Sequence, residues 1–240
     1  MDLQRLYSLT RKALEEYNMI EENDRIAVGI SGGKDSLALL YALHGLKRFY
    51  PKKFEIEAIT VNLNSGEMDF TPIKDLCNDL GINYTIVDTE IYDIIFNWRK
   101  EKNPCSLCAK MRKGTLNDEA LKLGCNKIAY AHHRDDIIET MFMSMIYEGR
   151  FNTFAPVTYL DRMDLTLIRP FLYLRESDIV SLSKKIHFPV VKNTCPADGY
   201  TKRQAAKELI KHINDCEPGA KDRMFSAIKN GTCISGWKIE

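Results

Sequence analysis

Three short stretches of this chain carry residue types whose spacing suits them to chemistry. The first is Ser31-Gly32-Gly33-Lys34-Asp35-Ser36, set between the apolar run 25–30 and a helix-like run, 37–43. Two adjacent glycines let a backbone approach a ligand with no Cβ in the way. A helix N-terminus directly after them gathers free N–H groups and the positive end of the helix dipole at one point, a receptor for phosphate. Lys34 adds a point charge there. This is not a Walker loop, which needs four residues between its first glycine and its Gly-Lys pair.

The second stretch is Cys105-Ser-Leu-Cys108, which opens a helical run continuing through Lys113. Two thiols at a helix start can chelate metal or do redox chemistry. No second C-x-x-C exists to close a four-thiolate zinc site. Cys195 lies in a proline-flanked loop and offers a third thiol. Three cysteines can hold an iron–sulfur cluster while one iron stays open to an exogenous ligand. A persulfide on Cys105 or Cys108 is the competing chemistry. The third stretch is His132-His133-Arg134-Asp135-Asp136. Asp35 with Asp135 or Asp136 suits Mg²⁺ or water held around phosphate oxygens, whereas Asp136 also suits a helix N-cap.

These residues must be carried by a regular frame, and the periodicity supplies one. Residues 2–20 read as an amphipathic helix. Strands are predicted at 25–30, 54–62, 82–88, 127–131 and 165–168. Helices are predicted from the glycine loop to about 48 and at 69–80, 90–100, 106–123 and 137–147. Strand–helix alternation argues for an α/β, doubly wound, mainly parallel sheet, with ligands beyond the carboxyl ends of its strands. Residues 175–230 read as helices joined by the Cys195 loop.

Composition sets limits. A chain of 240 residues, 45% hydrophobic and 28% charged, is an ordinary globular length and mixture. A net charge of +1 gives no global pull toward nucleic acid, so any RNA surface must be local. Candidate clusters are Lys47-Arg48 with Lys52-Lys53, Arg99-Lys100 with Lys102, Lys110 with Arg112-Lys113, and Lys202-Arg203. No apolar run reaches the roughly 20 residues that span a bilayer, and the N-terminus lacks a signal-peptide core, so no membrane role and a cytoplasmic setting are expected. Of the seven cysteines, Cys77, Cys125 and Cys216 fall in or beside helical patterns and are expected to be buried or half-buried; Cys233 has no clear reading.

SGGKDS resembles the pyrophosphate loop of the ATP-pyrophosphatase superfamily, whose members cleave ATP to AMP and pyrophosphate while adenylating a substrate oxygen. The succession SGGKDS, PCSLC, AHHRDDIIETMF, IRPF, the Cys195 loop and MFSAIKN is similar to that of the tRNA 2-thiocytidine synthetase group, over about residues 12–230. The resemblance implies an adenine nucleotide alpha hydrolase-like fold: an N-terminal helix (1–20), a PP-loop ATP-pyrophosphatase domain (21–175) and a C-terminal helical extension (176–240). It implies ATP and Mg²⁺ as cofactors, with Ser31, Gly32, Gly33, Lys34, Asp35, Ser36, His132, Asp136 and Arg169 binding the nucleotide. Lys34, Asp35, Asp135, Cys105 and Cys108 would be catalytic. A 4Fe-4S cluster would sit on Cys105, Cys108 and Cys195, Lys192 standing where the group often has a further cysteine. The implied reaction is sulfur replacement of a pyrimidine carbonyl oxygen in tRNA, by a homodimer supplied with sulfide freely or by a cysteine desulfurase. A superfamily ligase or amidase acting on a small molecule would share SGGKDS without needing Cys195, and a non-enzymatic nucleotide sensor would need neither chemistry.

Overall fold

The computed structural model describes residues 1–64, 66, 68–101, 104–191, 195, 202–231 and 237. Helix α1 (Leu3–Glu16) starts at Asp2, whose carboxylate accepts the Arg5 N–H, and buries Leu6, Ala13 and Leu14. Then follow β1 (Asp24–Gly29), α2 (Lys34–Leu46), β2 (Phe54–Asn62), α3 (Thr71–Asp79) and β3 (Asn83–Asp88). A π-helical turn (Asp93–Trp98) leads to α4 (Pro104–Lys122), β4 (Lys127–Ala129) and α5 (Arg134–Glu148). The chain continues through β5 (Val157–Leu160), β6 (Leu165–Ile168), α6 (Glu176–Ile186), α7 (Lys202–Cys216) and α8 (Ala220–Asn230).

The six strands form one sheet in the order β3-β2-β1-β4-β6-β5. All neighbours are parallel except the β5–β6 hairpin. The doubly wound, mainly parallel sheet expected from the alternation is thus present. Both faces are covered. Leu116, Ala120 and Cys125, on and just after α4, pack with Ala27, Ile59, Ile128 and Leu167 on one face. The larger core, with α1, α2, α5, α6 and α8, covers the other. That two-sided burial is why the interiors of these strands, Ile26–Val28 in β1 and Ile128–Ala129 in β4, are apolar at successive positions.

The order also fixes where a ligand belongs. From β1 the chain winds outward to β2 and β3, then returns to place β4 on the opposite side of β1. A crevice opens where the winding reverses, beyond the carboxyl ends of β1 and β4. SGGKDS follows β1, and His132–Asp136 follows β4.

Three local readings differ from the sequence. β5 was not anticipated; it is a four-residue edge strand whose exposed Tyr159 bonds Asp164 across the hairpin turn. The helix expected at 90–100 includes π-wound residues 93–98, with the Arg99 N–H bonding the Ile94 carbonyl at 3.0 Å. Cys77 and Cys125 are buried as expected, but Cys216 is exposed, because it ends α7 beyond its buried residues Ala206 and Ile210. Cys233 lies outside the described residues. Among the described residues no helix is long and apolar enough to cross a membrane.

Candidate active site

The glycine loop is tied by its own serines. Ser36 Oγ accepts the Ser31 N–H at 3.2 Å and donates to the Gly33 carbonyl at 3.0 Å, while Ser31 Oγ accepts the Gly33 N–H at 3.3 Å. Gly33 precedes α2 and no side chain caps that helix, so first-turn N–H groups remain available to an anion. Lys34 reaches Asp35 at 3.0 Å and Glu176, the first residue of α6, at 3.7 Å. The other Asp35 oxygen, Oδ1, is buried with no partner. An orphaned carboxylate oxygen beside a phosphate receptor fits a hard cation such as Mg²⁺, which binds through one or two carboxylates and keeps its remaining waters.

Gly32 adopts φ +79°, and a Cβ there would meet Val191 Cβ at 3.1 Å. The Val191 N–H also bonds the Gly32 carbonyl at 2.9 Å. Val191, four residues before Cys195, is therefore fastened to the phosphate loop. Gly32→Ala should cost about 1–2 kcal/mol through left-handed strain, lowering Tm by a few degrees, and should weaken ATP binding by pushing Val191 off the loop. Paired thermal-melt and nucleotide titrations check both effects; unchanged values in both contradict this role for Gly32.

The residues after β4 divide their work. His133 caps α5: its Nδ1 accepts the Asp136 N–H at 3.3 Å, and Asp136 accepts the His133 N–H at 2.9 Å. Asp136 is thus the third residue of a capping box, not the cap itself. Asp135 is buried, with Oδ2 on the Glu176 N–H at 2.8 Å and Oδ1 on Lys221 Nζ at 3.0 Å. Burial pushes its pKa up, but those two donors outweigh burial and hold it below the ordinary carboxylate value. Asp135 and Lys34 therefore meet through Glu176, a residue with no sequence motif to announce it. A cavity of about 320 Å³ beside them is lined by Arg134, Arg175 and Lys221 against Asp135, Glu176 and Asp222. Its opposite charges cancel in pairs, so it is a brace between α5, α6 and α8 and a poor anion receptor.

Helix α4 brings Cys105 into its first turn, exposed, and Cys108 one turn on, half-buried. Burial pushes the Cys108 thiol up; Arg112 opposes that by charge and a hydrogen bond, while Cys195 and Cys105 both raise it further. The three thiols thus share one electrostatic neighbourhood. Among the described residues no three Cys, His, Asp or Glu side chains stand close enough together to hold a metal ion as they are. Lys192 and most other residues flanking Cys195 lie outside the described residues. The donor set itself, three soft sulfurs and no oxygen ligand, fits an iron–sulfur cluster better than Mg²⁺ or a closed zinc site.

His132 and Arg169 are not drawn into the Lys34–Asp35 group. They form a separate cluster with Tyr130 and Phe154. Of the basic clusters, Lys47 and Lys52 are paired with Glu55 and Glu21, and Arg203 with Asp136 and Glu139. Among the described residues no carboxylate pairs with Arg99, Lys100, Lys110 or Lys113, and Trp98 beside them is 66% exposed.

A phosphate loop and a helix carrying two thiols, set at the switch point of a parallel sheet, define a PP-loop domain, and the sequence profile of that domain family matches residues 5–212. A tRNA-cytidine(32) 2-sulfurtransferase from Aliivibrio salmonicida is 38% identical over 92% of this chain and 73% of its own. One from Citrifermentans bemidjiense is 36% identical over 94% of this chain and 90% of its own. The chain belongs to the tRNA-cytidine(32) 2-sulfurtransferase family. Among solved structures, the U34-tRNA thiolase NcsA from Methanococcus maripaludis, with its 4Fe-4S cluster, shares the fold. It has a TM-score of 0.74 and 23% identity, over 92% of this chain and 76% of that one. An NH3-dependent NAD synthetase from Campylobacter jejuni aligns over 100% of this chain and 98% of its own, with a TM-score of 0.51 and 16% identity.

Proposed function

We propose that this chain is an ATP- and iron–sulfur-dependent tRNA sulfurtransferase that replaces O2 of cytidine 32 with sulfur. The observation that carries the reading is the Val191–Gly32 bond, which fastens to the phosphate loop a residue four positions before Cys195, in a chain of this family. The loop N–H groups and Lys34 bind the pyrophosphate portion of ATP, and Asp35 is placed for Mg²⁺. The base carbonyl oxygen attacks the α-phosphorus, the α–β bridge bond breaks, and pyrophosphate leaves with its electron pair onto the loop. Sulfide then adds at C2, the C–O bond breaks toward AMP, and the S–H proton passes to solvent. A 4Fe-4S cluster on Cys105, Cys108 and Cys195 supplies an open iron position for sulfur. Exposure of Cys105 supports the persulfide chemistry as the second reading.

The tRNA face is placed at Trp98–Lys100 and Lys110–Lys113. Among the described residues no carboxylate pairs with Arg99, Lys100, Lys110 or Lys113, and Trp98 offers a ring on which an unpaired loop base can stack. The setting is cytoplasmic, the sulfur donor is a cysteine desulfurase or free sulfide, and the working form is a homodimer. Mass spectrometry of tRNA nucleosides tests the assignment. A strain without this chain should lack 2-thiocytidine and regain it from the wild-type chain; 2-thiocytidine undiminished by the deletion overturns it.

A further inference from the structure

Seven buried side-chain polar atoms among the described residues lack any partner, and three of them lie in one cluster: Tyr130 Oη, His132 Nδ1 and Arg169 Nε. Tyr130 and His132 follow β4 two residues apart, so they point to the same side of the sheet. Their rings are 5.5 Å apart, and His132 stacks on Phe154 at 4.5 Å. Arg169 follows β6, the neighbouring strand, and its guanidinium lies over the same Phe154 at 5.0 Å.

Arg169 is only 7% exposed, yet it bonds two neutral acceptors, the Ala155 carbonyl and Thr158 Oγ1. No carboxylate among the described residues pairs with it. A buried cation without a counter-ion is costly unless a ligand completes it. Its companions do not supply that charge. Burial pushes His132 down to about 3 and Tyr130 up to about 12, so both are neutral at pH 7. The cluster therefore presents one uncompensated positive charge, unspent polar atoms and aromatic walls. That combination suits a small, weakly hydrated monovalent anion better than a multiply charged phosphate.

Its position matters as well. Arg112 hydrogen-bonds Cys108 and also acts electrostatically on Tyr130, so one cation faces both the thiol-bearing helix and the cluster. His132 directly precedes the capping residue of α5. The cluster therefore immediately precedes the turn that carries Asp135, and Arg112 links it electrostatically to Cys108.

We propose that Tyr130, His132 and Arg169 form an anion subsite, and that hydrosulfide occupies it during thiolation. The proposal rests on the sulfurtransferase reading for the identity of the anion, not for the existence of the subsite. Chloride is a suitable probe: its ³⁵Cl NMR line broadens on binding anaerobic holoenzyme, with no ATP or tRNA present. Wild type should broaden the line, and hydrosulfide should reverse it. At equal iron content, Arg169→Gln should bind chloride at least about tenfold more weakly and raise the KM for hydrosulfide by a similar factor, as loss of a charged hydrogen-bond donor predicts. Tyr130→Phe, which keeps the ring and deletes one orphan hydroxyl, should weaken chloride severalfold, and it decides the matter if Arg169→Gln does not fold. Equal broadening in all three proteins means that chloride binds elsewhere, none in wild type means a site that takes only water, and either result overturns the proposal. Bound chloride that hydrosulfide does not displace overturns the choice of anion. Formation of 2-thiocytidine by a protein that binds no anion overturns the subsite alone and leaves the sulfurtransferase reading in place.

Discussion

Lys34→Ala should lower ATP–pyrophosphate exchange by at least about 10²-fold, the scale on which loss of one preorganised charge stabiliser is felt. Lys34 is the first residue of α2 and is shared between Asp35 at 3.0 Å and Glu176 at 3.7 Å. Two carboxylates hold its ammonium, and a pyrophosphate on the uncapped start of α2 would compete with them for it. Removing it should leave the fold intact. Alanine is the strongest helix former at that position, and Glu176 keeps Lys207 at 2.6 Å. Asp35→Asn should fail similarly, because its unpartnered Oδ1 would lose the charge that attracts a metal ion. Exchange within twofold of wild type in either variant, at matched circular dichroism and Tm, would contradict the placing of ATP on this loop.

The parts that sequence made legible are those in which local chemistry and position coincide. Adjacent glycines between an apolar strand and a helix have few other uses, and the 54–62 and 165–168 strands appear at the predicted residues because their apolar and β-branched residues recur at strand spacing. Elements decided by tertiary partners were hidden. β5 is four residues long and exists through pairing with β6; its one signal was Val-Thr-Tyr-Leu before a polar turn. Glu176 and Lys221 look like ordinary surface charges until the fold brings them to Asp135. Val191 is one of several apolar residues after Phe188, and only the chain's return to Gly32 gives it meaning. The Tyr130–His132–Arg169 cluster joins two strands whose paired residues lie 39 positions apart in sequence, a relation that a motif on either strand cannot express.

Cys105→Ala, Cys108→Ala and Cys195→Ala should each abolish iron retention, whereas Cys77→Ala, Cys125→Ala and Cys216→Ala should keep it. Anaerobic reconstitution of the wild-type chain should give about four irons per chain with broad visible absorbance, as thiolate-held clusters do. The contrast follows from where each thiol sits. Burial pushes Cys77 and Cys125 up to about 11, so both remain protonated and packed in the core, where neither can ligate. Cys216 is exposed at the end of α7, beside His212. Cys105 and Cys108 lie in the first turns of α4, one exposed and one half-buried, and Arg112 and Cys195 both act on Cys108. Two cysteines without the third leave too few thiolates, so each of the three losses should be complete. Cluster assembly must also draw the sulfurs closer than they stand, so iron loading should protect Cys105, Cys108 and Cys195 from alkylation. Full activity with no iron, retained by Cys195→Ala but lost in Cys105→Ala or Cys108→Ala, would instead establish the persulfide chemistry. One tightly bound zinc per chain in an active enzyme would refute the iron–sulfur assignment, and the phosphate loop would keep its role.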